Sequence, residues 1–521
     1  MVLLFPNKDL LMTNTSTVNK RILRNTLLLY FRQILVMLVG LFTVRVVLKT
    51  LGAEDYGINS VVAGTVTMFG FLTGAMATAS QRFFSYNIGL NNEYKLKKVF
   101  SVTLTIYGLM ALLIVVFAET IGLWFVNTKL NIPIDRMPAA RWIYQFSILS
   151  FVVSIMSAPY MAAIIAHENM SIYAKASILE AILKLLIMYI LTLLSYDKLI
   201  LYGLLLLIVA FINTSVYTLF CVRNYKECHF QFCWDSLMLK EIAGFSFWNL
   251  FGNVAWIIKN QGISFLLNIY FGPLLNAAQN IASQVRNITS TFSSNFTTAV
   301  RPQIIKQYAT QEYDKMFKLT FQSSKFSFYL MLILVLPLLF NLDFLLNIWL
   351  SETPPHAVVF SKFLLIETLF DTISTPMAAV NQATGRIKLY QFLIGIIGIL
   401  NLPLSYLALK LGMVPDIVFV IGIILQCFIV LVRIVFLGWV KKGIIKRCFL
   451  STVVPCAVVF SITMIVCWSL YIPSSNILFI CGEMALEVIV AFLVIILLGL
   501  TSSERIFVWN TLKQKCKLSN K

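Results

Sequence analysis

Six basic residues fall inside long apolar stretches of the chain: Arg32, Arg45, Lys184, Lys259, Arg286 and Arg433. A charge at the centre of a bilayer costs at least about 2.5–3.5 kcal/mol on insertion scales, so such residues face a cavity, find a partner or reach back to the interface. The chemistry open to a cation in a wet passage is anion binding. Arg holds phosphate oxygens bidentately, and Lys acts as a point charge. The six are not equivalent. Lys184 follows Glu180 by one helical turn and reads as a neutral i,i+4 pair. Arg433 lies about one turn from the end of its stretch and can snorkel, as can Arg45. Arg32 and Arg45 stand roughly 220° apart on a straight helix, so the two do not aim at one point.

Lys259 and Arg286 have no acid one turn away on their own helices. Lys259 flanks a polar stripe of Asn249, Asn253, Trp256 and Asn260, while Arg286 shares a face with Gln279, Ser283, Asn287, Ser290 and Ser294. Such stripes are expensive against lipid and should line water or another helix. The expected substrate-binding set is therefore Lys259 and Arg286, with Arg32, Asn253, Asn260 and Gln279 beside them. Glu367 and Asp371 sit one turn apart in another apolar stretch. Like charges so placed repel, which suits them to a coupling proton or cation.

These residues are positioned by membrane helices. Hydrophobic residues make up 59% of 521 positions and charged residues 12%, about half the charged fraction of a soluble domain. The apolar runs have the length of about 20 residues that crosses a bilayer. Fourteen spans are expected, at 27–48, 58–80, 100–125, 142–166, 173–194, 199–222, 244–270, 275–299, 326–348, 358–382, 389–409, 415–438, 449–471 and 476–499. The fold class is an all-α integral membrane protein. The polar N-terminus precedes a full-length apolar segment without a cleavage pattern, so it does not read as a secretory signal.

The net charge of +19 follows topology and is not the footprint of a nucleic acid. Six of the 41 Lys and Arg lie within spans, and seven lie in alternate loops (Lys49, Lys129, Arg136, Arg141, Lys198, Lys362 and Lys410). The rest fall on the other side, which the positive-inside rule makes cytosolic together with both termini. The nine cysteines form no CxxC pair, and Cys228, His229 and Cys233 read as unliganded side chains. No metal site or cofactor is expected.

Self-comparison reveals a repeat. Leu51 to Gly57 aligns with Phe271 to Ala277 at an offset of 220. Arg82, Glu93 and Tyr94 align with Arg301, Glu312 and Tyr313 at 219, and Ala158, Pro159, Ala162, Ala166 and Tyr173 align with Thr375, Pro376, Ala379, Ala383 and Tyr390 at 217. Two six-helix lobes and two extra helices follow: a cytosolic tail 1–24, a first lobe 25–222, a linker 223–243, a second lobe 244–440, extra helices 441–500 and a basic tail 501–521. Six is even, so the repeat is parallel, as in transporters that rock two bundles about a site. Pro159 and Pro376 recur in the fourth helix of each lobe and are candidate hinges.

The stretches Leu51 to Gly57, Ala158 to Tyr160, Ala166 to Glu168 and Asn276 to Val285 resemble the polysaccharide transporter branch of the multidrug/oligosaccharidyl-lipid/polysaccharide flippase superfamily, in particular O-antigen and capsule repeat-unit flippases. The resemblance implies two lobes flanking a cationic cavity and a cargo of oligosaccharide on a polyprenyl pyrophosphate. It implies an inner-membrane flippase without enzyme activity that works among membrane lipids, beside glycosyltransferases and a repeat-unit polymerase. The cationic residues suit the same diphosphate on physical grounds. Two other readings stand beside it. A cation-coupled multidrug antiporter of the related multidrug and toxic compound extrusion branch would want carboxylates in its cavity. A membrane glycosyltransferase or polymerase would want a large outside loop, whereas 126–141 carries only Lys129, Asp135, Arg136 and Arg141 as charged residues.

Overall fold

The computed structural model describes residues 8–506, except Met68, Lys129, Asn131, 194–195, Phe232, 351–352, 473–475 and Ser503. Side chains are described from residue 21 onward, except at 41, 44, 45, 48, 53, 54, 60 and 67. Arg45, Lys129 and the far ends of both tails, 1–7 and 507–521, lie outside these. The described residues form helices joined by short turns, with no strand.

The chain divides into two compact units. The first is Met1–Asn253 with Thr298–Gln311, and the second is Val254–Thr297 with Glu312–Lys521. The first contains α1 (Lys8–Thr67), α2 (Gly70–Gly89), α3 (Glu93–Phe117), α4 (Leu123–Thr128), α5 (Met137–Ala166), α6 (Met170–Leu193) and α7 (Lys198–Asn224). Helices α8 (Ser236–Phe271) and α9 (Pro273–Ala309) follow, each with residues in both units. The second also holds α10 (Tyr313–Trp349), α11 (Ala357–Ala383), α12 (Lys388–Lys410), α13 (Ile417–Val440), α14 (Ile444–Cys448), α15 (Val454–Leu470) and α16 (Ile477–Val494).

Ten helices among the described residues are long and apolar enough to cross a membrane, or eleven if the bent pair Asp55–Val66 and Gly70–Gly89 is one span. Of the fourteen expected spans, those in α8, α9 and α11 do not reach that apolarity. These three carry Lys259, Arg286 and the Glu367–Asp371 pair, so the shortfall marks polar content in helices of ample length.

The first repeat motif has a backbone cause. Gly52 interrupts α1 at φ 82°, and Gly272 separates α8 from α9 at the same φ of 82°. That left-handed conformation is disfavoured for any residue carrying a Cβ. A Cβ at either glycine would meet no atom within 4 Å, so conformation rather than space requires glycine.

In the first unit, Ile58, Val62, Ala140, Ile143, Tyr144 and Leu199 form part of a buried core. A π turn at Ala118–Gly122 interrupts the ladder after α3, and the Tyr144 hydroxyl donates to the Ala118 carbonyl at 2.6 Å. One end of the unit is tied by Arg136, which pairs with Asp55 (2.5 Å) and Asp197 (2.7 Å). Elsewhere in the unit Glu168, between α5 and α6, receives Lys306 (2.5 Å), Arg21 (3.4 Å) and the Gln303 amide (2.7 and 2.8 Å). Burial pushes the Glu168 carboxyl up, but Lys306, Gln303 and Arg21 together hold it below the ordinary carboxylate range. In the second unit the buried pair Lys325–Glu504 (2.8 Å) anchors the chain beyond α16 to α10. Pro159 and Pro376 are buried in α5 and α11, which run through them as single helices. α10 instead departs from helical geometry at Asn341, one turn after Pro337.

Two outcomes are expected. Gly52→Ala and Gly272→Ala should each destabilise by about 1–2 kcal/mol, read as a lowered midpoint in thermal unfolding of the purified protein. The stability that Glu168 contributes is present above the ordinary carboxylate range and lost as pH falls through its lowered value. The stability gap between wild type and Glu168→Gln should therefore narrow on acidification below about pH 4.

Candidate functional site

A polar cavity lies within each unit among the described residues. That of the first unit has a volume of about 840 Å³, within the usual range for a binding cavity. Helix α1 brings Arg32 to it, α6 brings Tyr173, Ser177, Glu180 and Lys184, and α7 brings Asn213 and Tyr217. The Arg32 guanidinium donates to Ser177 Oγ (3.2 Å) and Gln33 Oε1 (3.2 Å) and lies 4.7 Å from the Tyr173 ring centroid. Glu180, the only carboxylate in the lining, accepts from Lys184 Nζ (2.7 Å) and Asn213 Nδ2 (3.1 Å). The i,i+4 pair read from spacing therefore forms, and a largely apolar helix tolerates it because the charges cancel. The Asn213 side-chain oxygen is buried without a hydrogen-bond partner.

The pocket of the second unit is small, about 10 Å³ or room for about one water. It gathers Lys259 and Asn260 from α8, Gln279 and Arg286 from α9, Glu367 from α11 and Asn401 from α12. The acid that Lys259 lacks on its own helix comes from α11: Lys259 Nζ stands 2.5 Å from Glu367 Oε1, and both side chains are only 5% exposed. Gly422 of α13 packs beside the pair, where a Cβ would stand 3.3 Å from Asn401 Nδ2 and 3.4 Å from Glu367 Oε2. Arg286 makes weaker contacts. Its two terminal nitrogens lie 3.4 and 3.5 Å from Asn260 Oδ1, and its guanidinium is 5.4 Å from the Trp256 ring centroid. No ion pair joins Arg286 to a carboxylate among the described residues.

The expected site residues separate on inspection. Lys259, Asn260, Gln279 and Arg286 share this pocket with Glu367, and Arg32 lines the cavity of the first unit. Asn253 is exposed and lines neither. Asp371 lies outside the pocket. Glu367 and Asp371, one turn apart on α11, are each held by a separate cation. Arg433 donates to Asp371 Oδ1 (2.8 Å) and Ser374 Oγ (2.7 Å), and Gln426 adds a third bond (2.9 Å). Arg433 therefore turns inward to a carboxylate instead of snorkelling, since an ion pair inside the unit was within reach. Cys228, His229 and Cys233 do not assemble as ligands; His229 Nδ1 lies 3.3 Å from the Lys226 carbonyl.

Sequence reasoning missed Tyr173, Ser177, Asn213 and Tyr217, polar residues scattered along the largely apolar α6 and α7. The one available signal was an asparagine inside a span. It also missed Glu483 and Glu487, one turn apart on α16. Glu487 accepts from Asn341 Nδ2 (3.2 Å) at the break in α10.

A family model described as "Polysaccharide biosynthesis protein" matches residues 22–308, more than half of the chain. The chain belongs to this family. A model described as MatE matches residues 256–407. No curated protein sequence matches the chain. Among solved structures, a MATE transporter mutant aligns over 82% of this chain and 97% of its own, at 13% identity and a TM-score of 0.68. A mutant of the Vibrio cholerae MATE transporter VcmN aligns over 84% and 98%, at 15% identity and 0.61. A MOP superfamily transporter from Pyrococcus furiosus, whose title speaks of reversed polarity of its binding pocket, aligns over 81% and 96%, at 12% identity and 0.65. At these identities the likeness concerns the fold, and this polysaccharide biosynthesis family member has the fold of those multi-pass transporters.

The Lys259–Glu367 pair leads to a double-mutant prediction. Lys259→Met alone leaves a buried, uncompensated carboxylate and should destabilise by about 3–5 kcal/mol, while Lys259→Met with Glu367→Leu should be near neutral or stabilising. Thermal unfolding of the two variants beside Glu367→Leu measures the coupling.

Proposed function

We propose that this protein is a flippase that moves a polyprenyl-pyrophosphate-linked oligosaccharide repeat unit across the cytoplasmic membrane by alternating access, for surface polysaccharide such as O-antigen or capsule. The observation that carries the reading is the state of the charges in the two cavities. Glu180 and Glu367 are each matched to a lysine of the same unit, whereas Arg286 is held only by an amide oxygen and a ring. The surplus charge in the second pocket is thus a guanidinium with hydrogen-bonding capacity to spare, the group best shaped for a diphosphate. Membership of a polysaccharide biosynthesis family supports the same cargo. The lipid tail stays in the bilayer, so only the charged sugar head needs the polar passage.

In this proposal Arg286 is the diphosphate contact of the second unit, and Arg32 is the cationic candidate in the cavity of the first. Asn260 accepts from Arg286, Gln279 donates to the Asn260 carbonyl, and Lys259 is matched to Glu367 beside them. A coupling proton arriving at Glu367 would release Lys259, which puts the coupling reading of Glu367 and Asp371 on their ion pairs. Pro159 and Pro376 remain the candidate hinges. Both termini are cytosolic, and the protein works beside glycosyltransferases and a polymerase without catalysing a reaction itself. The MatE match over 256–407 favours the alternative of a cation-coupled multidrug antiporter. That reading needs a carboxylate open to a cationic drug, and the carboxylates in both linings are already paired.

Arg286→Gln should abolish polysaccharide export at unchanged protein level, with the lipid-linked unit accumulating in the cytosolic leaflet. One charge-assisted phosphate contact contributes about 1.5–3 kcal/mol, a loss of roughly 10- to 150-fold in binding. Arg286→Lys should retain part of the export, because the charge survives and the fork does not. Normal export by Arg286→Gln removes the cationic-site mechanism.

A further inference from the structure

Equivalent helices of the two units begin on residues that are paired in the same way. In the first unit Arg136 is the N-cap of α5 and Asp197 the N-cap of α7. Arg136 donates to Asp197 Oδ2 at 2.7 Å, and Asp197 Oδ1 caps the amides of Leu199 (3.0 Å) and Ile200 (3.2 Å). In the second unit His356 is the N-cap of α11 and Asp416 the N-cap of α13, with His356 Nδ1 3.0 Å from Asp416 Oδ1. The offsets are 220 and 219, whereas aligned residues inside α5 and α11 stand 217 apart, so the two pairs correspond as helix starts and not in exact register. The third member of the first cluster, Asp55, corresponds to Leu275 at 220, so the second cluster has only two members. One tie has been kept twice, once with an arginine and once with a histidine.

That exchange changes the physics. A guanidinium is charged at every pH a cell meets. Its partner Asp197 is held below the ordinary carboxylate range, because Arg136 and the two capping amides outweigh the effect of burial. Imidazole is the side chain whose charge changes between about pH 5 and 8. His356 also sits at φ 66°, in the left-handed region, and its side chain caps no helix amide. Its polar partner is Asp416, beside ring contact with Phe360 at 5.5 Å. The other charged groups on the elements packed around it are Asp343 of α10, held by Lys362 of α11 at 3.4 Å, and Lys410 at the end of α12.

The geometry points to a pH-sensitive clamp in the second unit: protonation of His356 fastens the start of α11 to the start of α13, while Arg136 fastens the equivalent helices of the first unit at any pH. The neutral Nδ1–H tautomer can already donate to Asp416 and the imidazolium adds a charge to the bond, so the clamp is tighter on the acid side and weaker on the alkaline side. With both side chains about a third exposed the effect is modest. In the orientation proposed above, this end faces the outside compartment, and the clamp reports acidity there. The inference does not depend on the cargo.

Hydrogen exchange of the full chain in lipid nanodiscs tests it, corrected for intrinsic rates. The Phe360 amide bonds to the His356 carbonyl (2.8 Å) and the Val420 amide to the Asp416 carbonyl (3.3 Å). Both should gain about two- to five-fold in protection from pH 8 to about 5.5. The Leu201 amide, bonded to the Asp197 carbonyl (3.0 Å), is the internal control and should not change. His356→Arg should give the acid-form protection at both pH values, and His356→Gln and Asp416→Asn the alkaline-form protection at both. Wild-type protection at Phe360 and Val420 that ignores pH, or a pH dependence that survives in His356→Arg or Asp416→Asn, overturns the clamp.

Discussion

A charge placed inside an apolar helix bundle has to meet an opposite charge or water, and both units are arranged around that constraint. Lys184 meets Glu180, Lys259 meets Glu367, Arg433 meets Asp371 and Lys325 meets Glu504, each within 2.8 Å. Such pairs rarely stabilise a fold relative to apolar residues of the same volume. Their retention in α8, α11 and α13 is therefore better explained by what the polar groups do than by what they add to stability. Helices α8 and α11, which bear Lys259, Glu367 and Asp371, fall short of membrane-crossing apolarity, whereas α6, α10 and α13 carry their charged partners and still reach it. They can remain membrane helices only because neighbours in their own unit cover the charge.

Helix ends obey a second rule. Backbone amides at a helix start need acceptors, and the loop before them needs a fixed entry. Gly52 and Gly272 supply the entry through a left-handed turn at matching positions. Asp197 supplies acceptors, and Arg136 then binds that same aspartate. The same side chain thus caps a helix and joins it to its neighbour. In the second unit Asp416 starts α13 without capping its amides, and its partner is a histidine. The repeat has preserved positions while the chemistry at them has diverged.

The extra helices are joined to α10 by polar contacts as well as by packing. Lys325 binds Glu504, Tyr329 donates to the Gly499 carbonyl (3.1 Å), and Asn341 binds Glu487 (3.2 Å) where α10 breaks. Burial pushes the Glu504 carboxyl up, but Lys325 and the Thr501 amide hold it below its ordinary range. These contacts attach α16 and the chain that follows it to the body of the second unit along α10.

Composition, period and repeat were enough to determine that the chain is an all-helical membrane protein, because the 20-residue length and the cost of a bare charge in lipid act on local sequence. The same local logic identified the Glu180–Lys184 pair, the matching glycines and prolines, and the polar faces around Lys259 and Arg286. Pairing between helices far apart in sequence was not legible. Lys259 and Glu367 are separated by 108 positions, and Asp371 and Arg433 by 62. Nothing in a helical period says which partner lies across a bundle. Only the tertiary structure decided that Lys259 is neutralised while Arg286 is not, since a Coulomb interaction depends on distance through space and the sequence records distance along the chain.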